Sequence, residues 1–453
     1  DGMLGAMPVP RLVVTMSLPI MLSMLISAVY NLVDSVYVAQ YSDEAFLALS
    51  YAYPIQMLLV AFCSGIGVGF SAIFSRRLGE GDQEQAASAV CHGFFLYGLC
   101  WLLFLLFALT GAAPFLRLST EDPSVARQGA QYLLICCGLS IGTCMQFLTE
   151  RILQAMGRPA GFLIVQGSGA ILNLILDPIF IFVLDLGVAG AAAAPVLGQV
   201  SGAFIGFWLV YRLRRQLPIR LRGFRPRGEM LAEMGRVAAP AVVMQSLSSV
   251  MSLGLNQLLT RWSQSAVFVL GAYFKLQTFI FMPIFGLNNG MIPIIAYNYG
   301  AKNRERIMAT IKMSVLIAVG IMLVGLVVFQ IFPVQLLEIF DASENMLGIG
   351  VPALRIISLS FIFAGYIIII ISVFQALGNG VYSLMVSVIR QLFVILPVAY
   401  LFARVFGLSR VWWAIPIAEI VAVTVTTLMF RRIVRLNIKP LEEPRLNGEL
   451  ITG

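Results

Sequence analysis

A repeat at an offset of 221 residues is the feature that most restricts how this chain folds. The matched positions begin early in the chain: Pro19, Ser42, Ala45, Leu49, Gln56, Gly65, Gly69, Gly79 and Glu84 match Pro240, Ser263, Ala266, Leu270, Gln277, Gly286, Gly290, Gly300 and Glu305. The same offset continues further along: Gln154, Gly157 and Pro195 match Gln375, Gly378 and Pro416. A repeat that runs through most of the chain predicts two equivalent halves.

Apolar segments of about 20 to 30 residues recur along the sequence, and each is long enough to cross a hydrocarbon core of roughly 30 Å as a helix. Only 11% of the residues are charged, against about 25% in a soluble domain. The segments are too long and too weakly alternating for barrel strands. We therefore predict an all-α polytopic membrane protein with twelve spans, near residues 12–40, 47–75, 89–113, 128–156, 161–184, 188–213, 236–261, 266–297, 308–333, 347–377, 381–404 and 409–433.

Each repeat contains six spans, and this even number gives both halves the same orientation in the membrane. Two six-helix lobes related by a pseudo-two-fold axis along the membrane normal are one of the recurring plans of transporters. The expected domains are an N-terminal lobe, a cytoplasmic linker, a C-terminal lobe and a cytoplasmic tail, over residues 1–213, 214–235, 236–433 and 434–453.

The basic residues are distributed unevenly between the two sides of the predicted membrane. With a cytoplasmic N-terminus, 21 Lys and Arg fall on the cytoplasmic side, 6 on the opposite side and 3 within spans. Lys and Arg accumulate in cytoplasmic loops, so both termini are expected in the cytoplasm. The net charge of +8 then follows topology and does not indicate a nucleic-acid partner.

Two acidic residues lie inside predicted spans of the first half only. Asp34 corresponds by the repeat to Leu255, and Asp177 corresponds to Val398. A charge at the centre of a bilayer costs about 2.5–3.5 kcal/mol on insertion scales, so such residues generally face a cavity or a partner.

Each of these acids has an amide side chain on the same helix face. Asn31 lies three residues before Asp34, and Asn173 lies four residues before Asp177. The four groups form an oxygen-rich set able to hold a proton, Na⁺ or an organic cation. The alternative interpretation is a polar clamp between helices.

Other polar residues within spans are secondary candidates for substrate or ion binding: Glu150, Gln56, Gln245, Asn256, Lys275, Gln277, Arg390 and Glu419. Glu150 and Arg151 are adjacent and therefore do not face each other on a helix; for Glu150, structural anchoring is the favoured interpretation. Lys275, Arg390 and Glu419 place charge in the second half, where they could pair with one another, extend to the membrane interface or contact substrate.

The sequence contains no signature of an enzyme. A phosphate-binding Gly-Lys-Ser/Thr loop is missing, and no nucleophile lies near a histidine in a catalytic arrangement. The six cysteines form no metal-ligand spacing with the single histidine, His92, and are expected to be small apolar core residues. We expect no enzymatic activity, no bound metal and no cofactor other than a coupling ion.

Several segments resemble one family of transporters: NLVDSVYVAQYS at 31–42, ERILQAMGRP at 150–159, LNLILDP at 172–178 and FGLNNGMIPIIAYNYGAKN at 285–303. Together with the paired halves they are similar to the MATE family, the multidrug and toxic compound extrusion transporters, and within it to the bacterial DinF-like and MepA-like branch. This resemblance implies a V-shaped twelve-helix fold and cation-driven efflux of amphipathic drugs. It also implies that Asp34, Asn173 and Asp177 take part in cation coupling.

The chain departs from the family pattern at two places. Relatives with a proposed Na⁺ site often carry Thr where this chain has Pro195, and the acid that some relatives carry in the seventh helix is absent. Gln245, Asn256 and Gln257 are the polar residues of that helix. A Na⁺ ion held by Asp34, Asn173 and Asp177 stays an alternative, but both departures favour a proton.

The sequence therefore predicts a proton-driven antiporter for amphipathic, often cationic drugs, working as a monomer in the inner membrane of a bacterium, with the lipid bilayer and its small-molecule substrates as its partners. A flippase for lipid-linked oligosaccharides is the first alternative; such a protein should have a cationic central cavity, whereas the deep charges of the first half are acidic. A receptor or scaffold that transports nothing is the second alternative, and it leaves the repeat unexplained.

Overall fold

The computed structural model describes residues 3–261, 263–340 and 342–441, and this part of the chain consists of helices and turns without a β-strand. The last residues of the predicted cytoplasmic tail, 442–453, lie outside the described part, as do residues 1–2. The predicted all-α class is confirmed.

The first half contains nine α-helices: α1 Met3–Ala6, α2 Val9–Tyr41, α3 Asp43–Gly79, α4 Gln83–Thr110, α5 Ala112–Ser119, α6 Pro123–Gly138, α7 Ile141–Ala155, α8 Pro159–Pro178 and α9 Val188–Tyr211. One π-helical turn, Ile179–Val183, extends α8. A connecting segment of turns then leads from α9 to residue 228.

Nine α-helices also form the second half: α10 Gly228–Thr260, α11 Gln264–Gly300, α12 Arg304–Ile331, α13 Pro333–Glu338, α14 Glu344–Ser358, α15 Phe361–Ala376, α16 Gly380–Val388, α17 Ile395–Val405 and α18 Ala414–Ile433. The π-helical turns Ile389–Phe393 and Val434–Ile438 follow α16 and α18, and a 3₁₀ turn over Leu408–Trp413 precedes α18.

The helices match the predicted number of spans. Within the described residues, ten helical segments are long and apolar enough to cross a membrane, and two bent pairs bring the number to twelve if each pair is one span. The bent pairs are α6 with α7, at 41°, and α14 with α15, at 49°. The spans predicted at 128–156 and 347–377 are therefore each broken rather than continuous.

A serine stands at each break. The Ser140 hydroxyl donates to the Cys137 carbonyl at 2.8 Å, and the Ser360 hydroxyl donates to the Ile357 carbonyl at 2.6 Å. A serine that bonds to the preceding turn therefore lies at the break in each half.

Residues matched by the repeat cap the starts of the matched helices α3 and α11. The Ser42 hydroxyl accepts a hydrogen bond from the Ala45 N–H at the start of α3, and Ser263 does the same for Ser265 at the start of α11. Such caps satisfy backbone donors that the first helical turn leaves free. Some matched positions of the repeat are therefore helix-capping residues.

The chain forms two compact units, and two helices contribute to both. The first unit contains residues 1–6 and 18–242, and the second contains residues 7–17 and 243–453. The divisions fall within α2, next to Pro19, and within α10, two residues after Pro240. A proline within a helix removes one backbone hydrogen bond and permits a kink, and these two prolines are matched by the repeat.

Glycines allow close packing inside each unit. In the first unit, a Cβ atom at Gly69 on α3 would lie 2.6 Å from the Met234 carbonyl oxygen of α10. In the second unit, a Cβ atom at Gly290 on α11 would lie 2.5 Å from the Ser17 hydroxyl oxygen of α2. Small residues permit such approaches between membrane helices, so these matched glycines serve close packing.

Candidate cation-coupling site

Asp34 lies on α2, well after the internal Pro19. Asp34 as a whole is half-buried, and its carboxyl oxygen Oδ1 is buried without a hydrogen-bond partner among the described residues. Asn31, one turn earlier, is exposed. The predicted pair on α2 therefore shares a helix face, but only the acid is turned toward the protein interior.

Asp177 and Asn173 lie one turn apart near the end of α8 and are 1% and 3% exposed. Within the described residues, both carboxyl oxygens of Asp177 and the amide oxygen Oδ1 of Asn173 are buried without a hydrogen-bond partner. Buried oxygens without partners cost free energy, so these three atoms are suited to a proton or a cation.

The backbone next to Asp177 is irregular. Pro178 has no N–H to donate to the preceding turn, and the helix continues as a π-helical turn over Ile179–Val183. Single π-helical turns are frequent at functional sites. The local sequence thus places Asp177 where the helix widens.

The carboxyl groups of Asp34 and Asp177 lie within direct interaction range of each other, and Asp34 Oδ1 and both Asp177 oxygens have no hydrogen-bond partner among the described residues. Tyr132 on α6 lies within electrostatic range of both, and its hydroxyl donates to the Gln56 side chain at 3.1 Å. Two neighbouring carboxylates repel each other unless a proton or a cation lies between them. The pair can share a proton, as paired carboxyl groups do elsewhere.

Glu150 on α7 is a second buried acid of the first unit, 1% exposed. It accepts a hydrogen bond from the Gln146 side chain at 3.2 Å. Tyr30 on α2 lies within electrostatic range of both Glu150 and Asp34. The polar groups of α2 thus connect Glu150 electrostatically with the carboxyl pair.

Two more side-chain hydrogen bonds join the helices of this region. The Gln166 amide of α8 donates to the Ser27 hydroxyl of α2, and the Thr143 hydroxyl of α7 donates to the Gln199 side chain of α9. Pro195 lies one turn before Gln199, inside α9. The buried polar groups therefore span α2, α7, α8 and α9.

The helices that carry these groups approach closely through two glycines. A Cβ atom at Gly169 on α8 would lie 2.8 Å from the Gly198 carbonyl oxygen of α9, and one at Gly198 would lie 2.5 Å from the Gly169 carbonyl oxygen. Backbone oxygens cannot give way as flexible side chains do. The contact therefore requires glycine on both helices.

In the second unit, the positions matched to these glycines carry opposite charges. Arg390 corresponds to Gly169 and Glu419 to Gly198 at the same offset of 221. The Arg390 Nε and Glu419 Oε1 atoms are 2.6 Å apart, with side chains 14% and 7% exposed. An ion pair thus joins the helices of the second unit where glycines join those of the first.

The remaining candidates of the second unit lie in varied environments. Lys275 is exposed, with its Nζ atom 5.8 Å from the centre of the Phe340 ring. Gln277 and Asn256 are half-buried and Gln245 is exposed. Among the described residues of this unit, Glu419 is the only buried acid.

Sequence reasoning missed the tyrosines around the acids. Tyr30 and Tyr132 lie on different helices and have no motif in common, so only the packing of the helices shows that they belong to one region. Gln146 could have been found, because it lies four residues before Glu150 on the same helix face.

The fold and the site define a polytopic α-helical membrane protein built from two six-span repeats, with buried carboxyl groups facing each other in the first. The model of the MatE family matches residues 19–179 and 240–401, once in each repeat. The chain belongs to the MatE family, and the resemblance stated from the sequence is confirmed.

Similar proteins match over nearly the whole chain. The multidrug export protein MepA of Staphylococcus saprophyticus is 27% identical over 419 residues, which cover 91% of this chain and 91% of that protein. MepA of Staphylococcus aureus strain MRSA252 gives the same identity and the same coverage. The likeness to the MepA branch is therefore confirmed.

Solved structures of similar transporters share the fold. An outward-facing multidrug resistance MATE transporter of the MOP superfamily has a TM-score of 0.89 and 26% identity, covering 97% of this chain and 98% of its own. A MOP superfamily transporter from Pyrococcus furiosus, described as having a binding pocket of reverse polarity, has a TM-score of 0.88 and 26% identity, covering 96% and 97%.

Proposed function

We propose that this protein exports amphipathic, often cationic drugs in exchange for protons, with Asp34 and Asp177 as the residues that bind the proton. The observation that carries the proposal is the pair of facing carboxyl groups with three buried oxygens that lack a hydrogen-bond partner among the described residues. The names of the similar proteins as multidrug exporters support the substrate class.

The coupling follows from the electrostatics of the pair. A proton shared by Asp34 and Asp177 relieves the repulsion between two carboxylates, so the protonated pair is compatible with a closed, dry contact of α2 and α8. A cationic drug stabilises the ionised pair instead. Proton and drug therefore favour different states, and each drives the release of the other.

A proton is preferred over Na⁺ as the coupling ion. Pro195 provides no hydroxyl ligand on α9. The ion would then depend on oxygens of Asp34, Asn173 and Asp177. We further propose that the protein lies in a bacterial inner membrane with both termini in the cytoplasm. It works there as a monomer that needs no other cofactor and catalyses no reaction.

Transport by the purified protein in liposomes tests this function. Efflux of a cationic dye is followed under a proton gradient without Na⁺, and under a Na⁺ gradient at equal pH on both sides. We expect the proton gradient alone to drive efflux. Asp34→Asn and Asp177→Asn should each slow the proton-driven transport by about 10- to 100-fold, because an amide cannot take up the coupling proton.

The matched control is Asp185→Asn, which also removes a carboxyl group from the first unit. Asp185 is exposed and accepts a hydrogen bond from the Tyr41 hydroxyl at 2.8 Å, so its loss should leave the rate unchanged. Efflux driven only by Na⁺ would refute proton coupling. Absence of dye efflux under either gradient would refute the drug exporter and favour a flippase or a protein that transports nothing.

A further inference from the structure

Three cysteines that are far apart in the sequence meet inside the first unit. Cys63 comes from α3, Cys100 from α4 and Cys144 from α7. Their sulfur atoms all lie within 4.8 Å of one another, and the Cys63 and Cys144 sulfurs are 3.8 Å apart. We refer to these three residues as the thiol cluster.

The thiol cluster is enclosed by protein. Cys63 and Cys144 are 0% exposed and Cys100 is 4% exposed. The Tyr97 hydroxyl donates to the Cys63 carbonyl at 2.8 Å and so connects α4 to α3 beside the cluster. All three thiols are free. The three helices therefore hold three reduced sulfur atoms together inside the protein.

The spacing of the sulfurs suits one three-coordinate ion. With bonds of about 2.3 Å between the ion and sulfur, a planar three-coordinate ion places the sulfurs roughly 4 Å apart, and a pyramidal one places them somewhat closer. The observed distances need only small side-chain shifts to reach this arrangement. Thiolate ligands select soft ions, and no carboxylate or imidazole belongs to the group.

The burial of the cluster restricts the charge of the complex. Three thiolates around Cu⁺ or Zn²⁺ leave a net negative charge, and burying a charge without a partner is costly. Three thiolates around trivalent arsenic or antimony leave none. Charge therefore favours the trivalent ions over the other thiophilic ones.

We propose that the thiol cluster of Cys63, Cys100 and Cys144 is a binding site for trivalent arsenic or antimony. In the arsenic reaction, As(OH)₃ exchanges its three hydroxyl groups for three sulfurs. Each thiol proton leaves with one hydroxyl as water, so three As–S bonds form, three waters are released and no oxidation state changes. The product ties α3, α4 and α7 together.

Arsenite added to the purified, reduced protein in detergent tests the site. The bound arsenic is measured by mass spectrometry and its ligands by X-ray absorption. We expect one arsenic per chain with three sulfur neighbours. The variants Cys63→Ala, Cys100→Ala and Cys144→Ala should each lose the three-sulfur signature. Thermal unfolding without arsenite checks that each variant is folded.

The matched control is the double variant Cys136→Ala and Cys137→Ala, which removes two buried thiols of the same unit outside the cluster. It should retain the three-sulfur signature and should unfold at a higher temperature with arsenite than without. Loss of the signature in this control, or its persistence in Cys144→Ala, would overturn the proposal. Absence of bound arsenic in the wild-type protein would also overturn it, leaving the cysteines as core residues.

Discussion

Buried acids in the first unit differ in the partners that the structure gives them. Glu150 has a hydrogen-bond donor in Gln146, whereas the oxygens of Asp177 have no such donor among the described residues. A satisfied buried acid serves anchoring well, and an unsatisfied one is available to an ion. The environment of each carboxyl group therefore separates Glu150 from the Asp34–Asp177 pair.

Substitution of Glu150 tests the anchoring role. Glu150→Gln keeps an acceptor for Gln146 but removes the charge within electrostatic range of the buried Arg151, so we expect a lowered unfolding temperature and the dye transport of wild type. Glu150→Ala leaves the Gln146 amide buried without this partner and should destabilise the protein by about 1–3 kcal/mol. Thermal unfolding and liposome transport measure both effects. A stable Glu150→Gln protein that no longer transports would show that Glu150 belongs to the coupling site.

The contact between α8 and α9 in the first unit has a counterpart at the matched positions of the second unit, but different residues form it. In the first unit α8 approaches α9 through Gly169 and Gly198, whereas in the second unit an ion pair connects Arg390 to Glu419 on α18. Glycine contacts bring backbones together, and a buried ion pair fixes one geometry. The repeat thus preserves the contact while its residues have diverged.

The glycine contact can be tested with two substitutions on α8. Gly169→Ala places a methyl group against the Gly198 carbonyl oxygen and should destabilise the protein by about 1–3 kcal/mol. Gly167→Ala is the control, because a Cβ atom there meets nothing within 4 Å; helix propensity makes it neutral or stabilising by about 0.5–1 kcal/mol. Equal thermal stability of the two variants would contradict the close contact.

The ion pair of the second unit calls for a double-mutant cycle. Arg390→Met alone leaves the Glu419 carboxylate buried without this cation and should cost about 3–5 kcal/mol. Arg390→Met combined with Glu419→Leu removes both charges and should cost much less. Thermal unfolding of the single and double variants measures the difference. A double variant that is less stable than Arg390→Met would show that the charges act independently.

Sequence patterns predicted some elements better than others. The number of spans was predicted from apolar length, whereas the capping roles of Ser42 and Ser263 were not predicted. The breaks after Gly138 and Ser358 were not predicted, because no proline marks them and the apolar runs continue through both. At the site, helix spacing placed Asn173 beside Asp177. The thiol cluster and Tyr132 depend on contacts between helices distant in sequence, which no local pattern encodes.

The two compact units contain equivalent sets of helices, and α2 and α10 each contribute to both. Only the first unit combines facing carboxyl groups with buried oxygens that lack partners among the described residues. The two units therefore have similar sets of helices, but only the first has the pair of carboxyl groups that can bind a proton.

Membrane orientation is a further property of the whole chain that can be measured. Arg222→Cys in the basic connecting segment should react with an impermeant maleimide only in inside-out vesicles, because that segment is expected in the cytoplasm. Leu118 is 90% exposed and lies between predicted spans three and four. Leu118→Cys should react with the reagent only from the outer face of the inner membrane, in cells whose outer membrane is made permeable. The reverse pattern would contradict cytoplasmic termini.

Proton release on drug binding tests the role of the acid pair most directly. A cationic drug is added to the purified protein in weakly buffered detergent solution, and released protons are counted with a pH indicator. We expect the wild-type protein and Asp185→Asn to release protons on binding, whereas the double variant Asp34→Asn and Asp177→Asn should release none. Undiminished release from a folded double variant would show that the proton is bound elsewhere.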